Sequence, residues 1–267
     1  MRALAVHTDV IVLVSRVWQT TCTAIRAGAE GFVIDSPIDP DELDALPDLL
    51  EQSGFPLSGL LATHADWDHL LGRLAFPAAS LGCGESTAAR LATEPGRAQR
   101  ALRRFDEEQY IERPAPLGLG TIQALPVPGR LSVGDEHELE LHPAAGHTAD
   151  GTAYWLAWTG VLVCGDYLSP VEIPMISEGG SLAAYAETMA RLQPLVERSE
   201  TVVPGHGAPL PRERALAVIE ADIAYLEALG RDGPEAPLEF VGDDLVVDAG
   251  PQLVGCAAER WHHVSSL

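Results

Sequence analysis

Lysine and asparagine are both missing from this chain of 267 residues, and all 17 of its basic residues are arginine. Against them stand 39 aspartates and glutamates, for a formal net charge of −22. So acidic a surface repels a phosphate backbone and no basic stripe offsets it, which excludes nucleic acid as a partner. No apolar run approaches the roughly 20 residues that span a bilayer, so no membrane association is expected. The N-terminus reaches His7 and Asp9 too soon for the apolar stretch of a secretory leader, and the cytoplasm is the expected compartment. The four cysteines, Cys22, Cys83, Cys164 and Cys256, are scattered without paired spacing, which argues against a role as zinc ligands. Cys22 and Cys164 lie in apolar, strand-like runs and read as core residues, although Cys164 stands two residues before Asp166 and could line a site there. Glycine (25) and proline (20) stay below the level of a disordered chain. With 46% hydrophobic residues, the chain can bury one large core, or two layered halves around a shared cleft.

What the chain does have is ligands for metal. Thr63-His64-Ala65-Asp66-Trp67-Asp68-His69 follows an apolar run over residues 57–62 that reads as a buried strand. At alternate positions of an extended turn, His64 and Asp66 point the same way and can face one ion together. The adjacent Asp68 and His69 can reach toward a second. Three further segments repeat the arrangement. His147 sits in the Ala145-Gly146-His147-Thr148 turn, Asp166 follows the apolar Val161-Leu162-Val163-Cys164, and His206 follows Val202-Val203-Pro204-Gly205. Each puts a ligand-type residue in a loop beside a buried strand, where a rigid scaffold can aim it.

Taken in order, THADWDH, GHT, GD and PGHG resemble the metallo-β-lactamase superfamily, over roughly residues 10–230. Carried over position by position, the resemblance implies one site of His64, Asp66 and His147 and another of Asp68, His69 and His206, with Asp166 bridging them. One departure stands out: the family pattern is His-x-His-x-Asp-His, and here Asp66 replaces the second histidine. Two divalent ions, zinc first, are then the expected cofactors, while the harder oxygen ligand keeps iron and manganese open. Asp66 could instead cap the loop beside a single ion. Family β-lactamases commonly grip their substrate with Lys and Asn near the metals, and neither residue occurs here, which disfavours antibiotic hydrolysis.

Strands are expected over residues 10–14, 22–27, 31–35, 57–62, 131–133, 137–141, 153–158 and 161–164. Helices are expected from Asp39 to about Gln52, from His69, over a helix-rich 86–110, and over 182–196 and 212–229. In the last, Leu216, Ile219, Ile223 and Leu226 form one apolar face. This order implies an α/β fold, a four-layer αββα sandwich of the metallo-β-lactamase type, with the metal site at one edge of its two sheets. All 267 residues are expected in one domain, with a core of about 10–230 and an extension over 231–267. Strand-like residues 244–247 and 253–256 of that extension would pair with a sheet edge or with a second subunit, making a homodimer.

Residues outside the metal motifs read less sharply. Tyr167 follows the expected bridging Asp166, so its hydroxyl either donates to a developing oxyanion as a catalytic residue or packs its loop. Arg100, Arg103 and Arg104 share a helical face that either holds an anionic substrate tail or is solvated. Trp18 and Trp67 either wall a cleft or pack, His142 reads as a strand residue, and His262 and His263 carry no assignment. The expected chemistry is attack by a metal-bound hydroxide, with Asp68 orienting the nucleophile or moving its proton, on a small-molecule ester, thioester or lactone. Phosphodiester or phosphotriester hydrolysis, a non-haem iron enzyme of the persulfide dioxygenase type, and a metal-binding scaffold without turnover are the rival readings.

Overall fold

The computed structural model describes residues 1–232. The strands expected at 244–247 and 253–256, their pairing with a sheet edge or a second subunit, and His262 and His263 lie outside the described residues.

The first sheet has the order β1 (Arg2–His7), β2 (Val10–Val14), β3 (Thr21–Ala27), β4 (Glu30–Asp35), β5 (Gly59–Ala62), β6 (Leu81–Gly84) and β7 (Ile122–Leu125). Its pairs are antiparallel as far as β4 and parallel from β4 to β7. The second sheet runs β13 (Leu210–Pro211), β12 (Thr201–Val203), β11 (Val161–Val163), β10 (Thr152–Leu156), β9 (His137–Pro143) and β8 (Gly129–Val133). Among the described residues the α-helices are α1 (Pro40–Gln52), α2 (Gly72–Ala75), α3 (Glu85–Thr93), α4 (Arg97–Gln109), α5 (Leu182–Arg198) and α6 (Arg212–Asp232). Among the described residues no helix is long and apolar enough to cross a membrane.

Strand alternation builds the layers. Val10, Val12 and Val14 of β2 enter one apolar layer and Leu13 another, the period-two pattern of a strand buried on both faces. On β10, Tyr154 and Leu156 point inward while Ala153 and Trp155 point to the opposite face. Between the sheets, Ile25, Ile34 and Leu61 meet Leu139, Leu156, Val161 and Val203. Outside the first sheet lie Leu43, Leu46 and Leu50 of α1 and Leu102 and Phe105 of α4. Outside the second lie Tyr185, Met189 and Leu192 of α5 and Ala215, Ile219 and Leu226 of α6. Each fully buried Leu or Ile contributes roughly 1.5–3 kcal/mol by leaving water. The result is the expected αββα sandwich. Local signals agree with it at α1, where the Asp39 carboxylate accepts from the Asp41 amide at 2.9 Å, Pro40 opens the helix and Asp41 and Glu42 occupy its first turn.

The helix expected from His69 is replaced by a tight turn. Trp67–His69 form a single 3-10 turn, closed by His69 N–H donating to Asp66 O and Leu70 N–H to Trp67 O, both at 3.2 Å, and α2 begins only at Gly72. The tighter winding directs the adjacent Asp68 and His69 inward together, which a continuous helix would not do. Strands β1, β6, β7 and β13 were not expected. The first is half exposed, the second has two glycines in four residues, and the last is two residues long.

Candidate metal centre

Four loops at one edge of the sheets carry the candidate residues. His64, Asp66, Asp68 and His69 follow β5, His147 lies between β9 and β10, Asp166 follows β11, and His206 follows β12. Hydrogen bonds fasten these loops across the two sheets. Thr152 N–H donates to Thr63 O at 2.8 Å, Thr21 N–H to Gly205 O at 2.8 Å, and the Thr21 hydroxyl to Pro204 O at 2.6 Å.

All seven expected ligands converge, in two triads that share one carboxylate. Asp166 Oδ2 lies 3.6 Å from His64 Nε2 and 3.2 Å from His147 Nε2, while its Oδ1 lies 3.1 Å from His69 Nε2 and 3.5 Å from His206 Nε2. Asp66 Oδ2 completes the first triad, 3.8 Å from His64 Nε2 and 3.6 Å from His147 Nε2. Asp68 Oδ2 completes the second, 3.5 Å from His69 Nε2 and 3.4 Å from His206 Nε2. Within each of His64/Asp66/His147, His64/His69/Asp166 and Asp68/His69/His206, one potential ligand atom from each residue lies within 4.8 Å of the others.

Each imidazole is oriented from behind, through Nδ1. His69 Nδ1 meets Asp35 Oδ2 at 3.0 Å, His147 Nδ1 meets Met175 O at 2.8 Å, and His206 Nδ1 meets Trp18 O at 3.1 Å. His64 Nδ1 meets the Thr63 hydroxyl at 3.0 Å, and that hydroxyl gives its own proton to Asp35 Oδ2 at 2.8 Å. Oxygen acceptors therefore engage Nδ1 in all four rings and turn Nε2 toward the site, the orientation a metal requires. The chemistry fits divalent cations on a second count. The Nε2 atoms of His64, His69 and His147 and the Oδ1 of Asp166 are buried and make no hydrogen bond among the described residues. Burial works to raise the Asp166 carboxyl, but the facing His69, His206 and His64 outweigh it and hold the group well below the usual carboxylate range.

Tyr167 is placed otherwise than a catalytic oxyanion donor requires. Its hydroxyl is buried, donates to Ala144 O at 3.0 Å and accepts from His147 N–H at 3.0 Å. It locks the loop that carries His147 and has no proton left to direct at a substrate oxygen. Cys164 is fully buried, with its sulfur against Tyr167 O and Val203 O, so it belongs to the core. Trp18 and Trp67 pack against Phe105 of α4, at ring separations of 5.0 and 4.8 Å. His142 pairs with Glu140 on β9, away from the centre, and Arg100, Arg103 and Arg104 are exposed on α4.

Three residues around the centre escape a reading of the sequence. Asp35, at the end of β4, takes hydrogen bonds from Thr63 N–H and Oγ1 as well as holding His69. Asp150 accepts the Ala65 amide at 2.9 Å, and Arg90 of α3 reaches both Asp150 and Asp66 at 2.8 Å. Asp150 alone carried a local signal, lying three residues after His147 in GHTAD. A small, open cleft lies beside the centre. His147 and Asp166 form one side of it, Ile173, Pro174 and Met175 an apolar wall, and Glu172 and Asp222 an acidic one.

The sequence model of the Metallo-beta-lactamase superfamily matches residues 15–206. No curated protein matches the chain. Among solved structures, it is similar to a metallo-beta-lactamase family protein from Thermus thermophilus, at 21% identity and a TM-score of 0.63 over 84% of this chain and 83% of that one. It is similar also to the DIM-1 metallo-beta-lactamase, at 17% identity and a TM-score of 0.58 over 85% and 96%. A metallo-beta-lactamase from Pontibacter korlensis follows at 15% identity and 0.57 over 82% and 98%. Likeness at these identities speaks for the fold alone.

Proposed function

Because this chain belongs to the metallo-β-lactamase superfamily, we propose that it is a metal-dependent hydrolase of a small ester, thioester or lactone. The observation that carries the reading is the division of Asp166, whose two oxygens face two separate histidine pairs. In this reading His64, Asp66 and His147 hold one divalent cation, Asp68, His69 and His206 hold a second, and Asp166 offers one oxygen to each. Zinc is the first expectation. Cations so held supply Lewis acidity and an activated water at neutral pH.

The remaining work falls to the chain's own groups. Asp68, buried between His69 and His206, orients the attacking water and takes up its proton. Ile173, Pro174 and Met175 receive the apolar body of the substrate and exclude water around the reacting carbonyl. Among the described residues no arginine lines that cleft and Glu172 does, so its field disfavours phosphodiesters and other anionic substrates.

The test is elemental analysis of purified protein, followed by assays on a panel of esters, thioesters, lactones and phosphoesters. About two zinc ions per chain with turnover of a carboxylic ester, abolished in Asp68→Ala, is the expected result. Turnover unchanged in Asp68→Ala would assign the activity elsewhere, and phosphoesters hydrolysed best would overturn the substrate class. A second reading rests on Asp66, which gives the first triad two histidines and a carboxylate as in many non-haem iron sites. Iron in the purified protein, with oxygen consumed on addition of a thiol substrate, would select it.

A further inference from the structure

The two oxygens of Asp66 serve different partners. Oδ2 faces the imidazoles of His64 and His147, whereas Oδ1 lies 2.8 Å from Arg90 Nη2. Arg90 enters from α3 with its side chain 11% exposed and sets Nη1 2.8 Å from Asp150 Oδ1. Asp150 in turn accepts the amide of Ala65, the residue between His64 and Asp66. The planar guanidinium is thus fixed at both ends of its fork, and its charge cannot swing away from the first triad. Glu94 lies 3.6 Å from its Nε and completes its charged surroundings. Asp68, the counterpart of Asp66 in the second triad, meets His69 and His206 and no arginine among the described residues.

We propose that Arg90 is a built-in counter-charge that makes Asp66 act as a neutral ligand, so that two triads of the same composition bind divalent cations with unequal affinity. The inference rests on the metal-centre reading above. Of the three carboxylates that share the guanidinium, only Asp66 also faces the imidazoles, and Arg90 offsets its charge at contact distance, while Asp150 and Glu94 meet the other guanidinium nitrogens. The first triad therefore offers its cation a carboxylate whose charge is offset, while Asp68 in the second has no such arginine among the described residues. A fixed guanidinium beside the first triad also repels the incoming cation through a poorly screened medium. The second triad fills first and the first triad fills last. Arg90 is a positioning residue here, acting on the centre only through Asp66.

The sign of one substitution tests this. Metal-free protein is titrated with zinc against a competing chelator, and the two stepwise dissociation constants are read directly, without any substrate. The wild type is expected to show steps separated by about tenfold or more. Arg90→Gln keeps a hydrogen bond to Asp66 while dropping the charge, so it should tighten the weaker step about tenfold and leave the tighter one within about threefold. Arg90→Lys keeps the charge and should retain the wild-type separation. An arginine that merely docks α3 predicts the opposite, a weaker step loosened by Arg90→Gln, and that result would overturn the proposal. If Arg90→Gln loses its thermal unfolding transition, Asp66→His/Arg90→Met removes both charges and should bring the weaker step back to within about threefold of wild type; failure to do so overturns the idea equally. A wild type holding one ion supports the proposal when Arg90→Gln gains a second and overturns it otherwise. A wild type that takes up no divalent ion defeats the metal-centre reading and the inference with it, whereas two ions untouched by Arg90→Gln defeat the inference alone.

Discussion

His69 Nδ1 lies 3.0 Å from Asp35 Oδ2, with both side chains out of solvent and 34 positions apart along the chain. Asp35 occupies a left-handed backbone conformation, φ +57°, that aspartate and asparagine tolerate better than most residues. Asp35→Asn should therefore fold, yet it withdraws a charged acceptor from a candidate ligand. A fall of about 10- to 100-fold in metal affinity is expected. Chelator competition checks it, and an unchanged dissociation constant would show that Asp35 only shapes the loop.

Gly205 touches the centre through the side chain it lacks. A Cβ there would run into Asp166 Oδ1 and come within 3.1 Å of the Asp166 amide nitrogen. Gly205→Ala should displace the shared carboxylate and reduce kcat/KM about a hundredfold. Gly28 is the control, because it has φ +61° but nothing within 4 Å of its absent Cβ. Gly28→Ala should cost about 1–2 kcal/mol of stability through its backbone alone and leave turnover intact. Equal activity in the two variants would contradict the crowding at Asp166.

Tyr167→Phe separates loop-holding from oxyanion stabilisation. Removing the hydroxyl leaves the buried His147 amide and Ala144 carbonyl unpaired, for a loss of about 1–3 kcal/mol visible in urea unfolding. Because the hydroxyl proton points to Ala144 O, kcat should fall by less than about tenfold. A loss of 10²–10³ in kcat at unchanged stability, the size seen when an oxyanion donor is deleted, would restore the catalytic role.

Asp222 couples stability to pH. Burial raises its carboxyl from an ordinary 3.8 to about 8, with Tyr185 and Cys164 as buried neighbours. Between those values the folded protein holds the proton more often than the unfolded chain. Its contribution is therefore complete below the lower value and is lost as pH rises through the upper. Relative to Asp222→Asn at matched metal loading, the wild type should lose stability from about pH 5 to 8, at up to about 1.4 kcal/mol per pH unit. Urea unfolding of both proteins measures the difference. If it stays constant over that range, Asp222 is not a buried unpaired acid.

How much of this was legible in the sequence depended on distance along the chain. The seven candidate ligands lie in four short motifs, each next to a continuous apolar run, so strand, loop and ligand could be read together. The strands β2, β3, β4 and β9 and the helices α1, α5 and α6 followed from alternation, capping and helical spacing. Strand β1 was hidden because it buries little, and β6 because Gly82 and Gly84 leave half its residues without side chains to form a pattern. Asp35, Arg90 and Asp150 act on residues 34, 24 and 85 positions away, and no local period encodes such a meeting. The two readings of Tyr167 stayed open because adjacency to Asp166 says nothing of which way a hydroxyl turns.

The candidate ligands are divided between the sheets as well as between the triads. His64, Asp66, Asp68 and His69 hang from the first sheet, and His147, Asp166 and His206 from the second, so each triad draws on both. A cation held in either triad would be a rivet through the seam of the sandwich. Sliding one sheet past the other by a single residue, about 3.3 Å, would shear both sets of ligands at once. A chelator would then act on such a loaded protein as a mechanical release: with the rivets drawn, the halves would part more readily at the rim that carries the centre than at the opposite end.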